Sequence, residues 1–274
     1  MSKLDFTGAN LVVTGAATGV GAALLDLLDG LGKPKVTVLD IKEPTGPHAR
    51  YIETNLADRG SIDAAIGQID GPVDALINNA GVADTSQRDI VVAVNLLAPI
   101  YLTEKLLPQI REGGAVATTA SIAGMAWPAR LDAIKELLAL DGWDAMANWL
   151  DGRDLGVDTY GFTKEVMQVW TMRSAPILRR NGIRINSVCP SPIDTPLVVD
   201  FRETLGDDAM DFSIAHSGGR MVSAGEVASL LAYLASPAAS FVSGQNIDID
   251  NGFRASIVTG MLDTSEIREA SGRD

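Results

Sequence analysis

The chain has 274 residues, of which 46% are hydrophobic and 21% charged, a composition typical of a folded enzyme. Its net charge of -13 and isoelectric point near 4.5 disfavour nucleic acid or an anionic membrane as the main partner, because phosphate groups would be repelled. A single cysteine, Cys189, excludes an intrachain disulfide, and the start MSKLDFTGAN has no apolar leader, so we expect a cytoplasmic protein.

Neither a membrane span nor a structural metal site is expected. The apolar stretch DIVVAVNLLAPIYL is interrupted by Asn95 and Pro99, whereas a spanning helix needs about 20 apolar residues in a row. The two histidines, His48 and His216, are far apart in sequence, and Cys189 has no neighbouring ligand pattern.

Short runs rich in β-branched residues alternate with longer amphipathic runs along the whole chain. Strands are predicted at 10–14, 35–40, 49–54, 73–78, 115–121, 183–189 and 246–250. Helices are predicted at 20–32, 61–69, 90–110, 159–180 and 224–236. This alternation produces right-handed βαβ units, so we predict an α/β fold with one doubly wound (Rossmann) seven-stranded parallel sheet flanked by helices. No linker divides the pattern, and residues 1–274 are expected to form a single domain.

Three segments depart from the regular alternation. Residues 124–157 form an insertion with helical patterns of its own, and residues 191–222 form a long connection after the sixth strand. A connection of that length is usually a lid or a binding loop. The tail, residues 254–274, has an apolar stretch that we expect to reach the active site or a neighbouring subunit, and its last residues are expected to be disordered.

The turn after the first strand is rich in glycine. Gly15, Gly19 and Gly21 form a TGxxxGxG pattern in VVTGAATGVG, between a predicted strand and a predicted helix. Glycines permit a tight turn and a close backbone approach, so that a pyrophosphate can sit at the helix N-terminus. A glycine-rich turn can also exist without a ligand, but this context favours a dinucleotide site that includes Thr18 and Val20.

The second strand ends in Asp40, 19 residues after Gly21. A carboxylate at this point accepts hydrogen bonds from the adenosine ribose and repels a 2′-phosphate, which favours NAD over NADP. Replacement of Asp40 by alanine is then expected to relax the preference between the two cofactors. The neighbouring Lys42 weakens the argument, because a cation there would tolerate a phosphate, and an acidic residue that ends a strand can also be a plain turn cap.

The stretch TYGFTK places Tyr160 and Lys164 four positions apart, on one face of a predicted helix. A lysine charge beside a phenol favours the phenolate and lowers the tyrosine pKa, which would make Tyr160 a proton-transfer group. Alone, the spacing is also compatible with two surface residues of an amphipathic helix.

Five features occur in a fixed order along the chain: TGAATGVG, NNAG at 78–81, Asn95, Ser121 and YGFTK. Because of these features and their order, the chain resembles the short-chain dehydrogenase/reductase family from about residue 6 to 253. The long insertion between Ser121 and Tyr160 resembles the bacterial 3α-hydroxysteroid dehydrogenase group, which includes coniferyl-alcohol dehydrogenases. The resemblance implies that Tyr160 is the general acid/base and that Lys164 binds the nicotinamide ribose and lowers the Tyr160 pKa. It implies further that Ser121 polarises the substrate oxygen and that Asn95 holds a water of a proton relay.

The resemblance also implies a set of cofactor contacts. Asn55 and Leu56 occupy the adenine-contacting position, and PSPIDTP matches a segment that holds the carboxamide, with Ser191 in place of the usual glycine. The complete set of implied cofactor residues is Gly15, Thr18, Gly19, Val20, Gly21, Asp40, Ile41, Asn55, Leu56, Asn79, Ala80, Gly81, Tyr160, Lys164, Pro190, Ile193 and Thr195.

The remaining expectations concern substrate and assembly. An apolar wall over a hydrophobic alcohol or ketone is assigned to Met125, Trp127, Leu197, Val198 and Phe201, with Phe212. Alternatively, the insertion tryptophans, Trp127, Trp143 and Trp149, form a small satellite core. Family members form oligomers, so we expect a homodimer or homotetramer, with the dimer favoured because the insertion adjoins the Tyr160 helix.

Four alternative functions are each disfavoured by a feature of the sequence. An NADPH-dependent carbonyl reductase is disfavoured by Asp40, and a catalytically idle NAD-binding sensor is disfavoured by the four catalytic side-chain types. Enoyl reductases of related fold space tyrosine and lysine more widely, and a methyltransferase would give Tyr160 and Lys164 no role. The leading hypothesis is therefore an NAD-dependent dehydrogenase acting on a steroid, terpene or aryl alcohol.

Overall fold

A seven-stranded parallel sheet forms the centre of the molecule. The computed structural model describes residues 4–263. The strands are β1 (Asn10–Thr14), β2 (Lys35–Asp40), β3 (Arg50–Glu53), β4 (Val73–Asn78), β5 (Ile110–Thr119), β6 (Arg184–Pro190) and β7 (Asn246–Ile249). Their order in the sheet is β3-β2-β1-β4-β5-β6-β7. This confirms the predicted doubly wound sheet. Its order reverses between β1 and β4, where a crevice opens at the carboxyl ends of the strands.

The fifth strand differs most from its prediction. It begins at Ile110 rather than at residue 115, and its register with β4 shifts between the pairs Val73–Ile110 and Ala75–Ala115. The extra residues include Gly113, at a φ of +84°. Because glycine has a low strand propensity, the sequence pattern does not indicate this part of the strand. The strand also ends at Thr119, so Ser121 lies beyond the sheet, where it caps the following turn.

Helices cover both faces of the sheet. Val12 and Leu76 belong to a hydrophobic cluster on one face, whereas Val13 and Ile77 belong to a second cluster on the other, as alternation along a strand requires. The helices are α1 (Gly19–Gly30), α2 (Arg59–Ile66), α3 (Arg88–Val92), α4 (Ala98–Leu106), α5 (Leu131–Leu137), α6 (Gly142–Leu150), α7 (Thr159–Leu178), α8 (Val198–Leu205), α9 (Asp207–His216), α10 (Ala224–Ala235) and α11 (Phe253–Val258).

The predicted helix 90–110 consists of two α-helices joined by a π-helical turn. This turn spans Ala93–Leu97, between α3 and α4. A single π-helical turn inserts one extra residue per turn and often marks a functional position. Asn95 lies in its centre, and an amphipathic pattern alone cannot predict this widening of the helix.

The insertion after β5 contains a 3₁₀ segment, Ile122–Arg130, followed by α5 and α6. Its tryptophans pack against the body of the protein. Trp143 meets the ring of Tyr101 edge-on at 5.9 Å, and Trp149 stacks on Phe162 at 6.5 Å. These contacts correspond to the satellite-core alternative for both side chains.

Helices α8 and α9 occupy the long connection between β6 and α10. A two-residue parallel pair, Ile193–Asp194 with Val222–Ser223, closes its base. Arg202 links the two helices by pairing with Asp207 and Asp211 at 2.7 and 2.8 Å. Within residues 4–263 no helix has both the length and the apolar character needed to cross a bilayer. The predictions for the last part of the tail, residues 264–274, fall outside the described residues.

Candidate active site

A cavity of about 700 Å³ lies at the carboxyl ends of the strands. One end is formed by the turn after β1 and by the end of β2, and the other end lies beneath α8 and α9. Ser121, Tyr160 and Lys164 line the region between these two ends. The cavity thus brings together most of the residues that the sequence assigns to cofactor, catalysis and substrate.

The glycine turn is shaped by close backbone packing. A Cβ on Gly15, which has a φ of +68°, would lie 2.5 Å from the Cα of Ala80, and one on Gly21 would lie 2.1 Å from the Gly15 carbonyl oxygen. Neither contact is sterically possible, so only glycine fits. Gly15, Thr18, Gly19 and Val20 line the cavity, whereas Gly21 lies behind the turn and does not. Thr18 is the N-cap of α1 but makes no side-chain capping bond.

Asp40 lines the same end of the cavity, where it braces the glycine turn. Its Oδ2 accepts a hydrogen bond from the Ala17 N–H at 2.9 Å, and its Oδ1 accepts one from the Lys42 N–H at 3.1 Å. Ile41, Asn55 and Leu56 also line this end of the cavity, as does Lys42. The structure therefore places an acidic and a basic residue together at the predicted adenosine end.

Helix α7 presents Tyr160 and Lys164 to the cavity. Its N-terminus is held by two carboxylates, because Asp158 accepts from the Gly161 N–H at 2.7 Å and both oxygens of Asp84 accept from the Tyr160 N–H at 3.0 Å. Lys164 Nζ lies 5.4 Å from the centroid of the Tyr160 ring and donates to the Thr119 carbonyl at 3.0 Å. Asp84 belongs to no motif and was not among the predicted site residues.

Burial of Tyr160 and Lys164 disfavours the charged form of each side chain, the phenolate and the ammonium. Burial raises the pKa of Tyr160 to about 12, hydrogen bonding to Ser121 lowers it in part, and the nearby Asp158 and Asp84 raise it further. Burial also lowers the pKa of Lys164 to about 8. Lys164 is not among the groups that shift the pKa of Tyr160 here, so the lowering of that pKa by Lys164 stays a prediction.

Ser121 caps the 3₁₀ segment beside these two residues. Its Oγ accepts a hydrogen bond from the Ala123 N–H at 3.1 Å, which leaves the hydroxyl proton free to donate. Its carbonyl oxygen accepts hydrogen bonds from the Gly124 N–H at 3.1 Å and from the side-chain amide of Gln168 at 2.8 Å. The hydroxyl therefore faces the cavity while the backbone of Ser121 is fixed by α7.

Asn95 lies near this group but does not line the cavity. Its side-chain amide is paired with the backbone of Val82, accepting from the N–H at 2.9 Å and donating to the carbonyl at 2.8 Å. These bonds fix the segment that follows Gly81. The contacts give Asn95 a positioning role, and a water relay through this residue stays a prediction.

The segments beside the central region come from β4 and β6. The Asn79 side chain donates to the Gly15 carbonyl at 2.8 Å and accepts from the Thr119 hydroxyl at 3.1 Å, and so it joins the turns after β1 and β5. Ser191 replaces a glycine of the family motif without strain, because within residues 4–263 only Lys33 and Asn251 have a positive φ apart from glycines. The predicted cofactor residues that line this region are Asn79, Ala80, Gly81, Pro190, Ile193 and Thr195.

The end of the cavity beneath α8 and α9 is apolar. The ring of Phe201 meets that of Tyr160 at 4.8 Å and 66°, so α8 packs directly on the central region. Trp127 does not line the cavity, because it packs against the hydrophobic cluster beneath the insertion. The predicted lining residues that the structure places here are Met125, Leu197, Val198, Phe201 and Phe212, and it adds Ile90, Val94, Leu205, Met210 and Phe253.

Two family models match the chain. The model described as short chain dehydrogenase matches residues 9–131, and the model described as Enoyl-(Acyl carrier protein) reductase matches residues 155–254. Together they cover both the glycine turn and the helix that carries Tyr160 and Lys164.

Individual relatives cover nearly the full length of the chain. A coniferyl-alcohol dehydrogenase from Pseudomonas sp. is 31% identical over 257 residues, covering 93% of this chain and 100% of the relative. A 3-alpha-hydroxysteroid dehydrogenase/carbonyl reductase from Comamonas testosteroni is 28% identical, covering 89% and 96%. The crystal structure of a 3-alpha-hydroxysteroid dehydrogenase from Pseudomonas sp. B-0831, complexed with NADH, has a TM-score of 0.78 and 26% identity, covering 93% of this chain and all of that one. The chain therefore belongs to the short-chain dehydrogenase/reductase family of NAD(P)-dependent oxidoreductases, which act on alcohol and carbonyl groups.

Proposed function

We propose that the protein is an NAD-dependent dehydrogenase that interconverts a hydroxyl and a carbonyl on a hydrophobic substrate, of steroid, terpene or aryl-alcohol type. One observation carries the proposal. Tyr160 and Ser121 lie in a single cavity whose one end has the glycine turn and Asp40, and whose other end is lined by apolar side chains. Such a cavity suits a cofactor and an apolar alcohol that meet at Tyr160.

The groups around the cavity fit a dinucleotide. The first turn of α1 has no side-chain cap, so its N–H groups are available to a pyrophosphate. The ammonium of Lys164 has three N–H donors and uses one for the Thr119 carbonyl, which leaves donors for ribose hydroxyls. When bound, the nicotinamide supplies the carbon that exchanges hydride with the substrate and, in its oxidised form, a positive charge.

Tyr160 and Ser121 handle the proton of the substrate oxygen. In the direction of oxidation, the phenolate of Tyr160 accepts the hydroxyl proton while the Ser121 hydroxyl holds the oxygen. In the direction of reduction, the phenol of Tyr160 returns that proton and Ser121 stabilises the developing negative charge. Because burial raises the pKa of Tyr160 to about 12, the phenolate needs support from nearby positive charge, and oxidation is favoured at alkaline pH.

The preference for NAD is assigned to Asp40. Replacing it by alanine removes the hydrogen-bond acceptor for the ribose and also the brace on the Ala17 N–H. We expect kcat/KM with NAD to fall about tenfold, which corresponds to about 1.4 kcal/mol, or one such hydrogen bond. The ratio of kcat/KM with NAD to kcat/KM with NADP should decrease, chiefly because kcat/KM with NAD falls. We expect little increase in kcat/KM with NADP, since loss of the bond to Ala17 loosens the glycine turn for both cofactors.

Steady-state rates with both cofactors check this prediction, with Glu43→Ala as the matched control. Glu43 is an exposed carboxylate close to Asp40 in sequence that does not line the cavity. If the ratio of kcat/KM with NAD to kcat/KM with NADP were unchanged in Asp40→Ala, or changed equally in Glu43→Ala, Asp40 would not be the residue that determines the preference for NAD.

The function itself is tested by following absorbance at 340 nm with NAD or NADP and a panel of alcohols. The panel contains coniferyl alcohol, a 3α-hydroxysteroid, a monoterpene alcohol and short aliphatic alcohols. We expect NAD-dependent turnover of at least one of the large apolar alcohols and little turnover of the short ones. Preference for NADP would favour the carbonyl reductase alternative. Binding of NADH without turnover of any alcohol would favour the sensor alternative.

A further inference from the structure

Gln168 is a buried polar residue for which the fold has no evident need. It lies on α7, one turn beyond Lys164, and its side chain is completely buried. The amide nitrogen donates to the Ser121 carbonyl at 2.8 Å, but the amide oxygen has no hydrogen-bond partner within residues 4–263. A buried acceptor left unpaired costs about 1 to 3 kcal/mol, so this side chain is a poor choice for stability alone.

The bond that Gln168 does make is not required to satisfy the Ser121 carbonyl. That oxygen also accepts a hydrogen bond from the Gly124 N–H at 3.1 Å. An apolar side chain of similar size in place of Gln168 would leave no orphaned carbonyl and would remove the unpaired amide oxygen. The value of the amide must therefore lie in something other than hydrogen-bond satisfaction.

Further contacts hold the segment after Ser121 against α7. A Cβ on Gly124 would lie 2.5 Å from the Lys164 carbonyl oxygen and 2.7 Å from the amide nitrogen of Gln168, so the two backbones meet directly. At the end of the segment, the Arg130 Nε donates to the Glu165 Oε2 at 2.7 Å, and the Glu165 side chain is fully buried. Residues that follow Lys164 thus fix both ends of the segment that begins at Ser121.

We propose that Gln168 is a positioning residue that sets the place of the Ser121 hydroxyl relative to Tyr160, with the Arg130–Glu165 pair as a second tether. The inference rests on the proposed function, in which Ser121 holds the substrate oxygen. Gln168 does not line the cavity in which we place substrate and cofactor, so its proposed effect is exerted through Ser121.

The test is a double-mutant cycle between Gln168→Met and Ser121→Ala, with NAD and the best alcohol of the panel. We expect Gln168→Met to lower kcat about tenfold, since small misplacements of a catalytic group are costly, while KM for NAD stays within twofold. In the Ser121→Ala background the same change should lower kcat less than twofold, because the hydroxyl that it positions is already absent.

Two readouts separate positioning from a structural role. The melting temperature of Gln168→Met should be equal to or above that of the wild type. If the glutamine were needed for stability, its replacement would lower the melting temperature. Because hydrogen bonding to Ser121 lowers the pKa of Tyr160, the alkaline rise of kcat should move to higher pH in Gln168→Met and in Ser121→Ala alike. Gln168→Leu serves as the second variant if the methionine variant does not fold.

The matched control is Thr171→Val, on the same helix. Thr171 is also fully buried, and its hydroxyl donates to the Met167 carbonyl of its own helix at 2.8 Å. Its kcat should equal that of the wild type. A kcat of Gln168→Met within twofold of wild type, or a full tenfold loss in the Ser121→Ala background, would overturn the inference. Wild-type kcat in Ser121→Ala, or no turnover of any large apolar alcohol of the panel by the wild type, would instead overturn the proposed function, and the inference with it.

Discussion

Replacing Tyr160 by phenylalanine is expected to lower kcat by about 10³, within the range of 10² to 10⁴ that a positioned general acid/base contributes. The change removes only the phenol oxygen, and the ring still packs against Phe201 at the same place. KM for NAD should change less than threefold, because the contacts of Lys164 and of the glycine turn stay in place. The loss should be equally large for oxidation and for reduction, since one group serves both directions.

Steady-state kinetics with the best alcohol of the panel measure this loss. Tyr233→Phe is the matched control, because Tyr233 lies on α10 and does not line the cavity. It should retain the kcat of the wild type. A Tyr160→Phe variant with more than a tenth of wild-type kcat would show that another group transfers the proton.

The second large effect is expected from Lys164→Met, which should make the protein more stable and less active. Burial lowers the pKa of Lys164 from 10.5 to about 8, which corresponds to about 3 kcal/mol of stability at neutral pH. Loss of the hydrogen bond to the Thr119 carbonyl destabilises the variant by about 1 kcal/mol. The free energy of unfolding should therefore rise by about 2 kcal/mol at pH 7. The activity should fall by about 100-fold or more, because the charge-assisted bonds that we propose between Lys164 and the ribose would be lost.

The stability gain should depend on pH in a defined direction. Between pH 8 and pH 10.5 the unfolded chain keeps the proton of Lys164 while the folded protein has released it, so stability of the wild type rises with pH. The advantage of the methionine variant should therefore be largest at or below pH 7 and mostly gone near pH 10.

Urea unfolding at pH 7 and pH 9.5, without cofactor, measures both effects. Lys105→Met, which replaces an exposed lysine on α4, should show neither the gain nor its dependence on pH. A Lys164→Met variant that is less stable at pH 7, or a difference that is the same at both values of pH, would contradict the account of a desolvated ammonium.

The sheet was predictable from sequence because its signal is local and repeated. Strands such as β2 and β4 are short apolar runs between helices of amphipathic character, and their predicted bounds equal the observed ones. The start of β5 was not predictable, since Gly113 and the register shift depend on its pairing with β4. The π-helical turn around Asn95 likewise follows from tertiary contacts with Val82 rather than from periodicity.

The site was predictable to the extent that short motifs specify backbone positions. The glycine turn, Ser121 and the Tyr160–Lys164 spacing each have a geometric reason, and the structure brings them to one cavity. The burial of Tyr160, which raises the pKa of its phenol, was not predictable, because it depends on how the elements pack around α7. Trp127 was predicted to line the pocket because the insertion lies between Ser121 and Tyr160 in the sequence, but its side chain packs against the hydrophobic cluster instead.

Gln168 and Asp84 show a further limit of sequence reasoning. Each contacts a backbone group of a residue that we propose to be catalytic, the Ser121 carbonyl and the Tyr160 N–H respectively. No spacing rule connects positions that are 47 and 76 residues apart. Such contacts are visible only once the elements are packed together.

The most direct test of the proposed reaction is transfer of deuterium from the carbinol carbon of a labelled alcohol to NAD. The alcohol is the best substrate of the panel, and the reduced cofactor is analysed by mass spectrometry in the wild type and in Tyr160→Phe. We predict stoichiometric label in the cofactor with the wild type and about 10³-fold slower labelling with the variant. An unlabelled cofactor, in a protein shown to bind NADH, would contradict the assignment of this cavity to hydride transfer.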